Sequence, residues 1–319
     1  MEKYFILFLL SFLFSNILLY SQQFSFPGDG SVTYPYEIWS IEHWNELSDS
    51  SYNYHWTNPE WTTDKHFCLM QNIYDIRQPL YSNIRGYFYG NTKILTVDME
   101  FPPLGALDYG GIIDNIIVEG CIFTDDIYTS GIIGNIQYSS IIRCINNTTI
   151  ICTDDGNKYG MYGKGGIASY NRGTISYCTN NGSVSGVDIV GGIAAINLGE
   201  VSNCINTSKI TASNSGSSVG VTGIGGIIAV SYSDISHCIN LGNIEGANIV
   251  SGVVGSGLPA FPSASFSMLN CINTGYIKGN KYVGGIFGFN YNNTAPITNC
   301  INTGVIEGVE GVGSIVGKE

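Results

Sequence analysis

Across residues 93–319 the apolar positions fall in short alternating stretches broken by glycine and asparagine, with no sustained run at the 3.6-residue helical spacing. That pattern predicts strands and turns. Its period shows when the cysteines are aligned. Seven of the nine fall in one frame: Cys121, Cys144, Cys178, Cys204, Cys238, Cys271 and Cys300. Three positions before each stands an aliphatic residue or Met (Ile141, Ile175, Val201), and six positions after each a branched aliphatic (Ile150, Val184, Ile210). Two positions after, six of the seven carry asparagine: Asn146, Asn180, Asn206, Asn240, Asn273 and Asn302, with Phe123 the exception. A Gly-Ile or Gly-Val pair also recurs, from Gly131-Ile132 to Gly285-Ile286, with Ser314-Ile315 as an imperfect last copy.

Repetition on this scale predicts a solenoid. A single unit has too few residues to bury its own apolar face, but stacked units pair every backbone group about 4.8 Å apart and bring like side chains together. The expected fold is therefore all-β: a parallel β-helix of about seven three-sided coils, roughly 35 Å long. Asparagine suits such a stack, each amide bonding to the next. Recurrent glycines are expected at corners that need positive φ. The cysteine row is placed inside, as a thiol ladder without disulfides, because parallel side chains keep stacked Cβ atoms too far apart for bridging. The alternative, that the isoleucine after each cysteine is the core row, stays open. With cysteine inside, that isoleucine row becomes an exposed apolar stripe.

Residues 1–21 read as a signal peptide: Lys3, an apolar run over residues 5–19, then Ser21 ahead of Gln22 and Gln23. Residues 22–92 form the expected N-terminal cap region, ahead of the repeat β-helix at 93–319. The cap holds all four tryptophans, and Ser40 is placed to cap a short helix whose Ile41, Trp44 and Leu47 share a face. Strands are expected at residues 66–69 and 86–97. The last coil, ending near Lys318, offers an edge for end-to-end self-association.

Composition narrows the partners. A net charge of −12 repels phosphate backbones and anionic lipid, so nucleic acid is not expected, and no span is expected in the mature chain. No zinc-ligand spacing, phosphate loop or Ser-His-Asp arrangement is present, so neither metal nor cofactor is expected. Long corner insertions occur at residues 154–164, 213–223 and 258–266. The first carries Asp154, Asp155, Tyr159 and Tyr162, the candidate ligand-contact loop. The expected activity is binding of carbohydrate or a surface protein by a non-catalytic scaffold. The competing expectation is a polysaccharide lyase or glycoside hydrolase, with the pairs Asp125-Asp126 and Asp154-Asp155 as its carboxylates.

With those residues assembled, the chain resembles bacterial surface proteins built from GLUG-type repeats. Gly131-Ile132-Ile133-Gly134, Gly252-Val253-Val254-Gly255 and Gly285-Ile286-Phe287-Gly288 carry the element with Ile or Val in place of Leu. The copies at residues 166–169, 192–195 and 226–229 depart at the last position. Gly28-Asp29-Gly30-Ser31, Pro35-Tyr36-Glu37-Ile38 and Gly86-Tyr87-Phe88-Tyr89-Gly90-Asn91 resemble that family's opening. The resemblance implies an adhesin-like protein, secreted or on the bacterial cell surface.

Overall fold

The computed structural model describes residues 24–57, 61–126, 128–153, 163–213, 222–257, 266–291 and 295–318. Among these the chain is a parallel β-helix with one α-helix, α1 (Ile41–Thr57). Three parallel sheets run along it, of 17, 14 and 7 strands among the described residues. The seven rungs of the narrowest sheet, from Thr129–Ser130 to Glu310–Gly313, mark seven complete three-sided coils. The widest sheet starts earlier. Tyr36–Ile38 pairs with His66–Leu69, which pairs with Tyr87–Tyr89 and then Ile112–Asp114. The ladder therefore runs continuously through residue 93, and the cap region contains the first rungs of the solenoid.

The interior is a stack of identical choices. Cys144, Cys178, Cys204, Cys238 and Cys271 are fully buried and Cys300, in the last rung, half-buried. All nine thiols are free. Burial pushes the Cys144, Cys178 and Cys204 thiols well up, so these three stay protonated. The row that follows faces outward: Ile145, Ile205, Ile239 and Ile272 are half-buried and Ile301 is exposed. Thiol inside and isoleucine outside is the arrangement the pattern favoured.

The asparagine row forms a continuous ladder. Asn146 Nδ2 donates to Asn180 Oδ1 at 2.7 Å, Asn180 to Asn206 at 2.8 Å and Asn206 to Asn240 at 2.8 Å. Asn240 donates to Asn273 and Asn273 to Asn302, both at 2.7 Å. The same amides reach the turn two residues on, as in Asn180 Nδ2 to the Gly182 carbonyl at 2.9 Å. Each buried amide is thus satisfied by its neighbours, which removes the penalty of about 1–3 kcal/mol for an unmade bond.

Two expectations need correction. Cys121 does not belong to the thiol ladder. It lies opposite Thr149 and is only partly buried, while Asn146 lies opposite Val118 and Ile150 opposite Ile122. The thiol's place in that coil falls to Ile116, fully buried. Ile122 is accordingly core, not part of the outward stripe. The glycines of the Gly-Ile pairs also do something other than supply positive φ, since none of them has it. A Cβ on Gly131 would stand 2.2 Å from Asn146 Oδ1, and one on Gly192 would stand 2.0 Å from the Gly226 carbonyl and 2.7 Å from Asn206 Cγ. Glycine is there because the asparagine ladder and the next coil fill the space. Positive φ falls instead on the residue before each ladder position: Asn115, Arg143, Tyr177, Asn203, His237, Asn270 and Asn299.

Helix α1 closes the N-terminal end. Its buried face carries Trp44 and Leu47, and the Ser40 carbonyl accepts from the Trp44 amide at 3.1 Å, as a capping residue's should. Its hydroxyls reach the outer edge of the strand Leu80–Ile84. Ser48 Oγ donates to the Pro79 carbonyl at 2.7 Å, Ser51 Oγ accepts from the Tyr81 amide at 2.8 Å, and Trp44 Nε1 donates to the Gln78 carbonyl at 3.0 Å. Thr62 Oγ1 adds a bond to the Asn83 carbonyl at 2.9 Å and accepts from the Arg85 amide. Side chains thereby consume the backbone groups that an open edge would present.

Candidate binding surface

The loop residues singled out from sequence, Asp154, Asp155, Tyr159 and Tyr162, lie outside the described residues, as do most of the other two insertions. Of the first insertion, Lys164 is described. It is buried and donates from Nζ to the Val187 carbonyl at 3.0 Å. The other acidic pair sits in a turn: Asp126 Oδ1 accepts from the Tyr128 amide at 3.2 Å, and Asp125 is exposed. No group of three or more His, Cys, Asp or Glu residues poised to hold a metal occurs among the described residues.

The widest sheet brings together a different set of residues on the outer face of its first coils. Tyr109 and Tyr138 come from adjacent rungs, with ring centroids 6.2 Å apart. Tyr109 sits in the turn between the strands Leu104–Asp108 and Ile112–Asp114, Tyr138 lies within the strand Ile133–Ile142, and both have left-handed backbone, at φ 45° and 50°. Tyr138 occupies a bulge: the register shifts between Gln137 and Ser140 against the following rung, which passes from Arg172 to Thr174. A bulky side chain in this conformation costs about 1–2 kcal/mol, and burial does not offset it, because the rings are 66% and 65% exposed. Local strain and bulges concentrate where a side chain has to be aimed.

Charged residues flank the pair. The Arg85 guanidinium lies over the Tyr109 ring, 5.0 Å from its centroid, and is 3.6 Å from Asp108 Oδ2. That carboxylate is buried, and its Oδ2 also accepts from Asn83 Nδ2 at 3.1 Å. Further along the same rungs Arg143 pairs with Asp114. Next to Asp114 in register stands Tyr89, which stacks with Tyr87 at 6.2 Å, while Tyr87 stacks on His66 at 4.4 Å with ring planes 7° apart. Burial lowers the His66 pKa, partly opposed by Asp64, so the ring is neutral at pH 7. Desolvation, with Tyr87 and Asp114 nearby, raises the Tyr89 hydroxyl. The face thus presents aromatic rings, neutral hydroxyls and two charge-balanced Arg–Asp pairs.

A concavity lies on the outer side of the 14-stranded sheet. This shallow groove of about 250 Å³ is lined by Ser185, Thr211, Ser213 and Glu245 among others. Lys209 pairs with Glu245 at 2.9 Å.

The sequence pointed to Tyr159 and Tyr162 and did not mark this pair. The register bulge at Tyr138 and the approach of two exposed rings from adjacent rungs single it out, and no composition or spacing shows them.

No family model and no curated protein matches the chain. Among solved structures it is similar to one described as a "putative immunoglobulin A1 protease" from Bacteroides ovatus, with a TM-score of 0.50 and 17% identity. The similarity covers 90% of this chain and 86% of that one. At this identity it speaks to the shared fold alone. No helix among the described residues is long and apolar enough to cross a membrane.

Proposed function

We propose that the chain is an adhesin-like binding scaffold, secreted or displayed on a bacterial surface, that works without catalysis. The GLUG-type resemblance and the apolar leader at residues 5–19 support that setting. One observation carries the binding reading: Tyr109 and Tyr138 are held in a strained backbone yet left two-thirds exposed. Exposed aromatic side chains on a rigid frame are what contact surfaces are made of. The frame here is the sheet itself, so the face is preorganised. Self-association through the last described rung is part of the same proposal, since Val305 and Val309 there are 69% and 84% exposed.

The test is an array of glycans and surface proteins probed with residues 22–319, with released product assayed on every hit. Retained ligand without product supports the scaffold. Oligosaccharide release would replace it with a lyase or hydrolase, and substitution of the two aspartate pairs by asparagine would then locate the chemistry.

A further inference from the structure

We infer that the Tyr109–Tyr138 face takes a neutral glycan, an inference that rests on the binding reading above and adds the class of ligand. Three features converge. The first is aromatic: two exposed rings on adjacent rungs, 6.2 Å between centroids, give an extended apolar surface against which the CH face of a sugar ring packs. The second is the form of the polar groups. A sugar hydroxyl both donates and accepts, and an Arg–Asp pair offers both partners side by side. Arg85 with Asp108 and Arg143 with Asp114 provide two such pairs on this face. Asp108 Oδ1 and Asp114 Oδ1 make no hydrogen bond within the protein, so each carboxylate keeps accepting capacity that a hydroxyl can use once the neighbouring side chains adjust.

The third feature is charge, and it separates neutral from ionic ligands. Arg85 and Arg143 are each balanced by their own carboxylate, so these two pairs add no net charge to the face. The whole chain, at −12, repels an anionic polymer. A cationic ligand would have to displace Arg85 from the Tyr109 ring it already covers. A neutral polyol meets neither obstacle. Binding of this kind depends little on salt, because no counterions are released.

The experiment measures binding of residues 22–319 to four soluble probes by calorimetry at low and high salt: cello-oligosaccharide, malto-oligosaccharide, polygalacturonate and poly-lysine. Variants Y109A, Y138A and S233A are compared, the last as a surface control on a later coil, and circular dichroism checks that each folds. The inference expects binding to at least one neutral probe, with affinity changing less than about two-fold between salts. Loss of at least ten-fold is expected in Y138A and Y109A and none in S233A. Binding only to polygalacturonate or poly-lysine, abolished by the tyrosine variants, would overturn the neutral-glycan inference and leave the binding face standing. Neutral-probe binding untouched by both tyrosine variants would overturn the face itself. No binding to any probe overturns the inference as stated.

Discussion

The coils before and after residue 144 solve the same stacking problem in two ways. From Cys144 onward every rung repeats the same interior set, thiol, asparagine and aliphatic, opposite a glycine. Before it, Ile116 and Val118 stand where the thiol and the amide would be, and two prolines, Pro102 and Pro103, precede Leu104 where later coils have their Gly-Ile pair. The early coils also hold the helix, the stacked His66–Tyr87 rings and the strained Tyr109–Tyr138 pair. Repetition makes a ladder in which each side chain is the hydrogen-bond partner of its own copy, and this leaves little freedom to vary. Irregular coils give up that ladder and keep their outer face free for other uses. The asparagine ladder and the glycine opposite it are therefore one device: where the glycine is missing, the asparagine is missing too.

The sharpest way to break the regular half is at that glycine. Gly192→Ala sets a Cβ against the Gly226 carbonyl and Asn206, neither of which is the free end of a flexible chain. The expected loss is more than about 3 kcal/mol, read as a fall in the urea midpoint. A change of under about 1 kcal/mol would mean the coils slide apart freely and the ladder is not a tight stack.

Next in size is the ladder itself. Asn206→Ala removes the bond from Asn180 and the bond to Asn240, stranding a donor and an acceptor in the interior. A loss of about 2–3 kcal/mol is expected. The reciprocal change tests the pairing of the two motifs: Val118→Asn stands next to Asn146 in register and extends the ladder by one member. With proline where the opposing glycine would be, the new amide is expected to destabilise the fold by about 1–3 kcal/mol. If Val118→Asn stabilises the protein instead, the glycine is irrelevant to the ladder.

How much of this was readable beforehand follows from the chemistry of the interior. The rungs from Cys144 to Cys300 were legible because cysteine and asparagine are distinctive residues repeated at fixed offsets. Cys121 misled because isoleucine replaces a buried thiol without changing the coil, so the real ladder position, Ile116, has no mark in the sequence. A second buried polar column, Asn171 donating to Asn197 at 2.8 Å and Asn197 to Ser231 at 3.2 Å, went unnoticed. Its signal was present five residues after Gly166, Gly192, Gly226 and Gly285, at Asn171, Asn197, Ser231 and Asn290. The column is interrupted at Gly257, where Phe266 and Phe287 fill the space a side chain would need. The helix was anticipated through Ser40, Trp44 and Leu47, but its length to Thr57 was not, because past Leu47 it buries serines in place of apolar residues, Ser48 donating to the Pro79 carbonyl and Ser51 accepting from the Tyr81 amide.

A smaller effect distinguishes function from fold in the irregular half. Tyr138→Asn keeps a side chain that tolerates left-handed backbone and removes the exposed ring. Stability is expected to rise by about 0.5–1 kcal/mol while binding is lost, the trade expected of a residue kept for contact. If both stability and binding fall, Tyr138 belongs to the packing and the contrast between the two halves weakens.

The smallest expected effect is the pH response of the aromatic face. His66 has its pKa lowered mainly by burial, so the folded state binds fewer protons than the unfolded chain as pH drops below the ordinary histidine value of about 6.5. The sign follows: stability from this group is fully present above that value and is lost as pH falls towards the folded pKa. Because the ring is largely solvated, the loss is slight, and the more direct reading is the titration of His66 by NMR. A midpoint below 6.5 that moves up in Tyr87→Ala would tie the shift to the 4.4 Å stack that shields one face of the imidazole. A midpoint at or above 6.5 would mean that the ring is hydrated on both faces, and that the early coils present separate side chains in place of a packed slab.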